Sequence, residues 1–440
     1  MRGQQFFLSD GFPRPGIERY PAMQDKNHMR HLRALIAVVE EGSIARAAQR
    51  LLRTPSAVAS SIRQLETSFD ATLFERQSAG MAPTPFGQAA YRRACRIEAE
   101  LQLAAAELAP YRVSVNAPLF AMLVGERQLT ALVRLREMGH MPSVAAVMGL
   151  TQPAVSALLR QAEASLKLRL FRRAAKGMAV TEAGELLLFR VRRVLAELRH
   201  LEADIAQQRG EMAGRVMFAA LPSMRTRVLP QAIAALVGKH PNVQISMVDA
   251  PFEILFAGVH SGEIDFILTG LNANYSHRDF LIRVIGRDRL VVVARAGHPL
   301  CARERVEIAD LVRYPWVLRD RGAPTRELLN DLFWQLGIEA PHVAVQAGDL
   351  GLLRGLLQHS DVVSAVSPEY LSYEIASGAV KVLDVELPHT GREIGFILRR
   401  DAQPSLLCEK LMQHIEAATA GTLAPAAPSP TGARTAVTPG

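Results

Sequence analysis

Cysteine is scarce in this chain. Cys95, Cys301 and Cys408 are the only three in 440 residues, far apart and odd in number. That argues against a disulfide framework and against a zinc site built from close ligand pairs. No run of about 18 apolar residues occurs, so no transmembrane helix is expected. The opening residues, MRGQQFFLSDGFPRPG, lack the apolar core of a secretory leader, and the cytoplasm is the expected compartment. The twelve histidines show no metal-ligand spacing. No nucleophile turn gathers serine, histidine and aspartate, and no GxxxxGK(S/T) phosphate loop is present. Catalysis is therefore disfavoured, and neither metal nor cofactor is expected.

What is present is apolar material and uneven charge. Hydrophobic residues make up 49% of the chain, enough for several cores, and the length points to three or more domains. Residues 1–210 hold 29 Lys and Arg against 19 Asp and Glu, whereas the remainder holds 22 against 24. A basic first half joined to a near-neutral second half suggests a polyanion-binding part and a part with another task.

The stretch Thr151-Gln152-Pro153-Ala154-Val155-Ser156, continuing through Arg160, predicts a helix capped by Thr151, with Pro153 in its first turn. Val155, Leu158, Leu159 and Ala162 form one face; Gln152, Ser156 and Arg160 lie on the other. A short helix over 144–150 ends before it at a glycine turn, which gives a helix-turn-helix pattern. The pattern occurs twice. A shift of 97 residues places Thr54, Ala57, Val58, Arg63, Gln64 and Glu66 on Thr151, Ala154, Val155, Arg160, Gln161 and Glu163 without a gap. Leu73, Phe74 and Arg76 fall on Leu170, Phe171 and Arg173, and Gly80, Thr84 and Gly87 on Gly177, Thr181 and Gly184. One folded unit has been used twice.

Each copy should continue into two short strands around a glycine turn, a wing able to lay basic groups along a phosphate backbone. The second wing, Arg172-Arg173-Ala174-Ala175-Lys176, is more basic than Glu75-Arg76-Gln77-Ser78-Ala79. Long helices follow, from about Pro85 to Leu108 and ending near Gln208. Ala90, Ala94, Ile97, Leu101, Ala104 and Leu108 form a coiled-coil seam, repeated as Leu187, Val191, Val194, Leu198, Leu201 and Ile205. The larger second seam is expected to pair two chains; the alternative is packing within one chain, on the wing or on its twin. Ser43 is expected to cap the short helix through Leu51.

From Gly214 the texture changes to alternating strands and helices: strands over 215–220, 243–248, 264–268 and 290–294, then 316–318, 343–345, 362–366, 381–383 and 394–398. This order predicts a parallel sheet with helices on both faces. The expected organisation is multidomain, α followed by α/β. It comprises an arm (1–27), a first winged helix-turn-helix with its helix (28–110), a second (119–209), an effector-binding domain of two subdomains (211–420) and a tail (421–440).

Both copies resemble the winged helix-turn-helix of LysR-type transcriptional regulators. Residues 211–420 are similar to that family's effector-binding domain through GRVMFAALPS, VLPQAI, HPNVQISMVDA, GEIDFILTG and ARAGHPL. The resemblance covers most of the chain from about residue 29, but the family normally carries one DNA-binding domain. It implies a periplasmic-binding-protein type fold for the second half, double-stranded DNA and a small-molecule effector as partners, and a homodimer or homotetramer with no membrane attachment. The first copy reads Thr54-Pro55-Ser56 where the family has Ser-Gln-Pro, and Ala59 where the second copy has Ser156. The second copy has Lys167 for a glycine.

Expected DNA-binding residues are Thr151, Gln152, Pro153, Ser156, Arg160 and Arg173 in the second copy, and Ser56, Ala57, Ser60, Arg63 and Arg76 in the first. Glutamine can pair with adenine, and arginine with guanine or phosphate. Ligands of parallel sheets sit at the carboxyl ends of strands. Ser223, Thr226, Thr269, Gly270, Thr325, Ser364 and Ser367 are therefore the effector-binding candidates. Arg225 and Arg227 could strengthen an acidic ligand's binding. A transport-type solute-binding protein is the rival reading of this half, and the missing leader and the two reader motifs argue against it.

Overall fold

The computed structural model describes residues 28–78, 80–111, 125–175, 177–271 and 278–424. The expected arm, nearly all of the linker before the second copy, Ala79 of the first wing, Lys176 of the second wing and most of the tail lie outside these. The chain forms two compact units: one runs to Met217 and takes in 242–264 and 403–407, and the other holds 218–241, 265–402 and the chain from Cys408.

In the first unit the repeat is a repeat of structure. The first module is α1 His28–Glu41, α2 Ile44–Leu51, α3 Pro55–Phe69, β1 Phe74–Gln77, β2 Gly80–Pro83 and α4 Pro85–Glu107. The second is α5 Glu126–Met138, α6 Met141–Met148, α7 Gln152–Leu166, β3 Phe171–Ala174, β4 Gly177–Val180 and α8 Glu182–Gln208. The helix starts follow from their caps: Thr54 accepts from the Ala57 N–H at 3.2 Å, and Thr151 from the Ala154 N–H at 3.4 Å. Val58, Ile62 and Leu65 bury one face of α3; Val155, Leu159 and Ala162 bury the matching face of α7. Ser43 stands at the start of α2 in extended backbone, but its hydroxyl accepts no helix N–H there.

Each wing strand pair is antiparallel in one shared register, Phe74 opposite Pro83 and Phe171 opposite Val180. Gly80 and Gly177 take φ of +133° and +123°, and a Cβ on either would collide with the carbonyl of Gly42 or Gly139. Those carbonyls accept from the N–H groups of Met81 (2.9 Å) and Met178 (2.8 Å), which ties each wing to its own module.

The two long helices, α4 and α8, pack along each other within the chain. All twelve seam residues are buried there. The seam of α8 is thus covered by its twin in the same chain, and a second chain is not required to cover it. The same unit includes β6 Val243–Met247 and α9 Phe252–Ser261. Arg193 of α8 donates to the His260 carbonyl at 3.0 Å and Arg199 to that of Gly262 at 3.3 Å, so arginines meet the carbonyls at the C-terminal end of α9.

In the second unit, β5 (Gly214–Ala220, entering from the first unit), β7 Phe266–Gly270, β14 Arg392–Arg399 and β8 Phe280–Asp288 lie side by side in that order. β5 and β7 are parallel, but β14 is antiparallel to both β7 and β8. The sheet is mixed, not parallel throughout, because the chain leaves to build a second subdomain and returns through β14. That subdomain has a three-stranded antiparallel sheet, β12 Ser364–Val366, β9 Val291–Arg295 and β13 Val380–Val382, and a parallel pair, β10 Trp316–Leu318 with β11 Val343–Gln346. Its core centres on Trp316 and Phe333, packed edge to face. The expected tail boundary moves: Ala424 exchanges two backbone hydrogen bonds with Arg287 of β8, at 2.8 and 3.1 Å.

Candidate nucleic-acid interface and effector cleft

The faces of α3 and α7 opposite the core are open to solvent. Thr151, Gln152, Pro153 and Arg160 are exposed and Ser156 is half-buried. In the first module Ser56 and Arg63 are exposed, with Ala57 and Ser60 half-buried. The Arg160 guanidinium donates to Ser156 Oγ at 2.7 Å, one helical turn back, which holds the cation along the helix. Arg63 has no such tether, because Ala59 stands where Ser156 does. Ser56 instead meets Thr54, the two hydroxyl oxygens lying 3.1 Å apart. Arg76 and Arg173 are exposed at equivalent wing positions, opposite Met81 and Met178.

The exposed faces of α3 and α7 stand on matched supports. Glu66 accepts the N–H of Leu73 at 2.9 Å, and Glu163 that of Leu170 at 2.8 Å, so a carboxylate from each of these helices fixes the strand that carries the wing arginine. Thr84 and Thr181 each donate to the carbonyl twelve residues back, at 2.6 and 2.7 Å, and cap the long helix that follows.

The effector candidates divide into groups. Ser223, after β5, is buried and its hydroxyl has no hydrogen-bond partner among the described residues. Thr226 donates to the Tyr370 carbonyl at 3.3 Å. Beside it Arg227 makes a two-toothed ion pair with Glu369, at 2.9 and 3.2 Å. Burial pushes the Glu369 carboxyl above its ordinary value against the pull of Arg227. Ser367 donates to Asp288 Oδ1 at 2.9 Å, and Arg392 reaches the other oxygen of Asp288 at 3.1 Å. Ser364 donates to the Val317 carbonyl at 2.7 Å.

The Ser364 and Ser367 hydroxyl protons are already committed to protein. Arg225 donates twice to the Ala220 carbonyl, and Arg227 is held by Glu369, so neither arginine is simply a solvent-facing charge. A cavity of ≈ 770 Å³ takes in Gly270, Arg287, Pro324, Glu327 and Arg392, and Gly270 is the only one of the seven candidates on its wall. Thr269 and Thr325 are half-buried, Thr325 in the turn of helix that begins at Pro324. Glu369 and Asp288 were not foreseen; an acidic residue two places beyond Ser367 was the available signal for the first.

The profile of the LysR substrate binding domain matches residues 209–420, and that of the bacterial regulatory helix-turn-helix protein, lysR family, matches twice, at 29–88 and 126–185. The chain belongs to the LysR family of transcriptional regulators. An HTH-type transcriptional regulator, GalR, of Pseudomonas putida is 37% identical over 388 residues, covering 88% of this chain and 96% of its own. That alignment is longer than the stretch from α5 to the C-terminus, so it reaches into the first module. The HTH-type regulator PcaQ of Agrobacterium fabrum is 25% identical over 292 residues, 66% of this chain and 94% of its own. A full-length OxyR from Pseudomonas aeruginosa superposes with a TM-score of 0.50 at 18% identity, over 67% of this chain and 93% of that one, which speaks to the fold. As a LysR regulator the chain binds DNA, responds to small molecules and is not an enzyme. No single helix among the described residues is long and apolar enough to cross a membrane.

Proposed function

We propose that this LysR regulator reads double-stranded DNA in the cytoplasm chiefly through its second module. Thr151, Gln152, Pro153, Ser156 and Arg160 meet the bases and nearby phosphates, and Arg173 the backbone. Ser56, Ala57, Ser60, Arg63 and Arg76 make the corresponding, weaker contacts. The observation that carries this ranking is the Arg160–Ser156 hydrogen bond, which pre-sets the cation of one reader and has no counterpart in the other. Genome-wide mapping of bound DNA, with Gln152→Ala/Arg160→Ala and Ser56→Ala/Arg63→Ala chains run in parallel, tests it. Equal losses from the two variants reject the ranking.

The effector is a small acid or sugar-like metabolite held between the two α/β subdomains. The buried, unpartnered hydroxyl of Ser223 at the end of a strand supports a polar ligand there. Thr226, Thr269, Gly270 and Thr325 complete the contacts, and Ser364 and Ser367 present acceptor oxygens. Ligand binding shifts the balance between two arrangements of the subdomains, with the Arg227–Glu369 pair and the Thr226–Tyr370 bond as the contacts that change. Thermal shift against a panel of small acids and sugars, repeated with Ser223→Ala, checks the site. Ligands that raise the melting temperature but never alter the DNA footprint would refute the switch.

A further inference from the structure

The helix pair α4–α8 carries a buried ion network. Arg93 donates to Glu197 at 2.9 Å and to Asp204 at 2.7 Å, and Arg96 donates to Glu197 at 2.8 Å. Arg190 donates to Glu100 at 2.9 Å and to Glu107 at 3.1 Å, and Arg193 donates to Glu100 at 3.1 Å. These are the same three contacts with the roles of the helices exchanged. A shift of 97 residues carries Arg93, Arg96, Glu100 and Glu107 onto Arg190, Arg193, Glu197 and Asp204. Reciprocity of this kind, i against j and j against i, is the mark of an isologous two-fold interface, which ordinarily joins two copies of a chain. Here both sides belong to one chain.

The surroundings agree with the symmetry. The twelve apolar seam residues are buried without a second copy. Arg93 and Glu197 are at most 4% exposed, so removing either would leave the other charge buried without that partner. The reading fronts of α3 and α7 stay open to solvent on the paired modules.

We propose that a single chain is a complete two-headed reader: α3 and α7 of the same molecule occupy the two half-sites of one DNA site, with the α4–α8 pair in place of a dimer interface. Two-fold readers place their half-sites about 34–36 Å apart, one turn of the duplex. Because the fronts differ, Ser56 and an untethered Arg63 against Gln152 and the Ser156-held Arg160, the two half-sites are unequal and the site is an imperfect palindrome. This rests on the chain being a sequence-specific DNA binder.

The test uses the full chain and the shortest fragment recovered by mapping. Native mass spectrometry should give one 48.1 kDa chain per pair of half-sites. Footprints of Gln152→Ala/Arg160→Ala and Ser56→Ala/Arg63→Ala chains should each lose protection over a different half. Co-expressing the two variants should leave high-affinity protection of both halves unrestored, since no chain then holds two working heads. Two chains spanning one pair of half-sites, restoration by co-expression, or a footprint that the Ser56/Arg63 pair leaves unchanged would each overturn the proposal. If the unaltered chain prefers no fragment over competitor, the DNA-reading assignment itself fails. That result is distinct, because it appears without any variant.

Discussion

The two winged modules of this chain share supports and differ at their fronts. Glu66 and Glu163 brace the same wing position, Thr84 and Thr181 cap the same long helix, and Gly80 and Gly177 make the same close approach. Where side chains leave the core, the copies part. Leu52, 95% exposed, holds a left-handed turn at φ 54° where the second copy has Gly149 at φ 64°. Duplication kept what the fold requires, and the solvent-facing residues, under no packing constraint, diverged into two unlike readers.

The largest effect should come from the ion network. Glu197→Ala removes the carboxylate that buried Arg93 and half-buried Arg96 share, and Glu100→Ala does the same to buried Arg193 and half-buried Arg190. Each should cost about 3–5 kcal/mol in urea unfolding. A large loss from one and none from the other would break the two-fold equivalence of the helices. The same carboxylate gives a pH signature. Burial alone would raise the pKa of Glu197, but Arg96 and Arg93 together hold it below the ordinary value. Its stabilisation is therefore complete above the unfolded-state value, about 4.3, and is lost as pH falls through the lower folded value. Thermal melts taken down through that window should fall for the unaltered chain and flatten for Glu197→Gln.

Next in size is the reading contrast. Loss of Gln152 and Arg160 should weaken site binding by about 1–3 kcal/mol per base contact removed, measured by titration of labelled duplex, with a smaller loss for Ser56 and Arg63. The wings sharpen it further. Arg173→Ala should lower the slope of log affinity against log salt by about 0.9, the share of one phosphate contact, and Arg76→Ala by less. Smallest is the turn: Leu52→Gly should stabilise the first module by about 0.5–1 kcal/mol in chemical denaturation, because glycine adopts the left-handed backbone without a Cβ clash.

Much of this was legible in the sequence. The repeat, the caps at Thr54 and Thr151, the wings and most strands of the second half follow from local pattern, which short-range physics dictates. Three features did not. An apolar seam announces that a helix needs a partner but not whose chain supplies it, so α8 read as a dimer helix although its partner is α4. Strand β8 was missed because Arg283 splits its apolar run, Phe280-Leu281-Ile282 on one side and Val284-Ile285 on the other. The roles of Ser364, Ser367 and Arg225 depended on which acceptor each side chain finds, and those acceptors lie close only once the chain is folded.

The unequal fronts of α3 and α7 carry one more implication. A clamp with two identical jaws can be lifted off its duplex, turned end for end and replaced without any change in energy. A clamp with unlike jaws has a left and a right. On the two-headed reading it settles on an unequal pair of half-sites with one polarity.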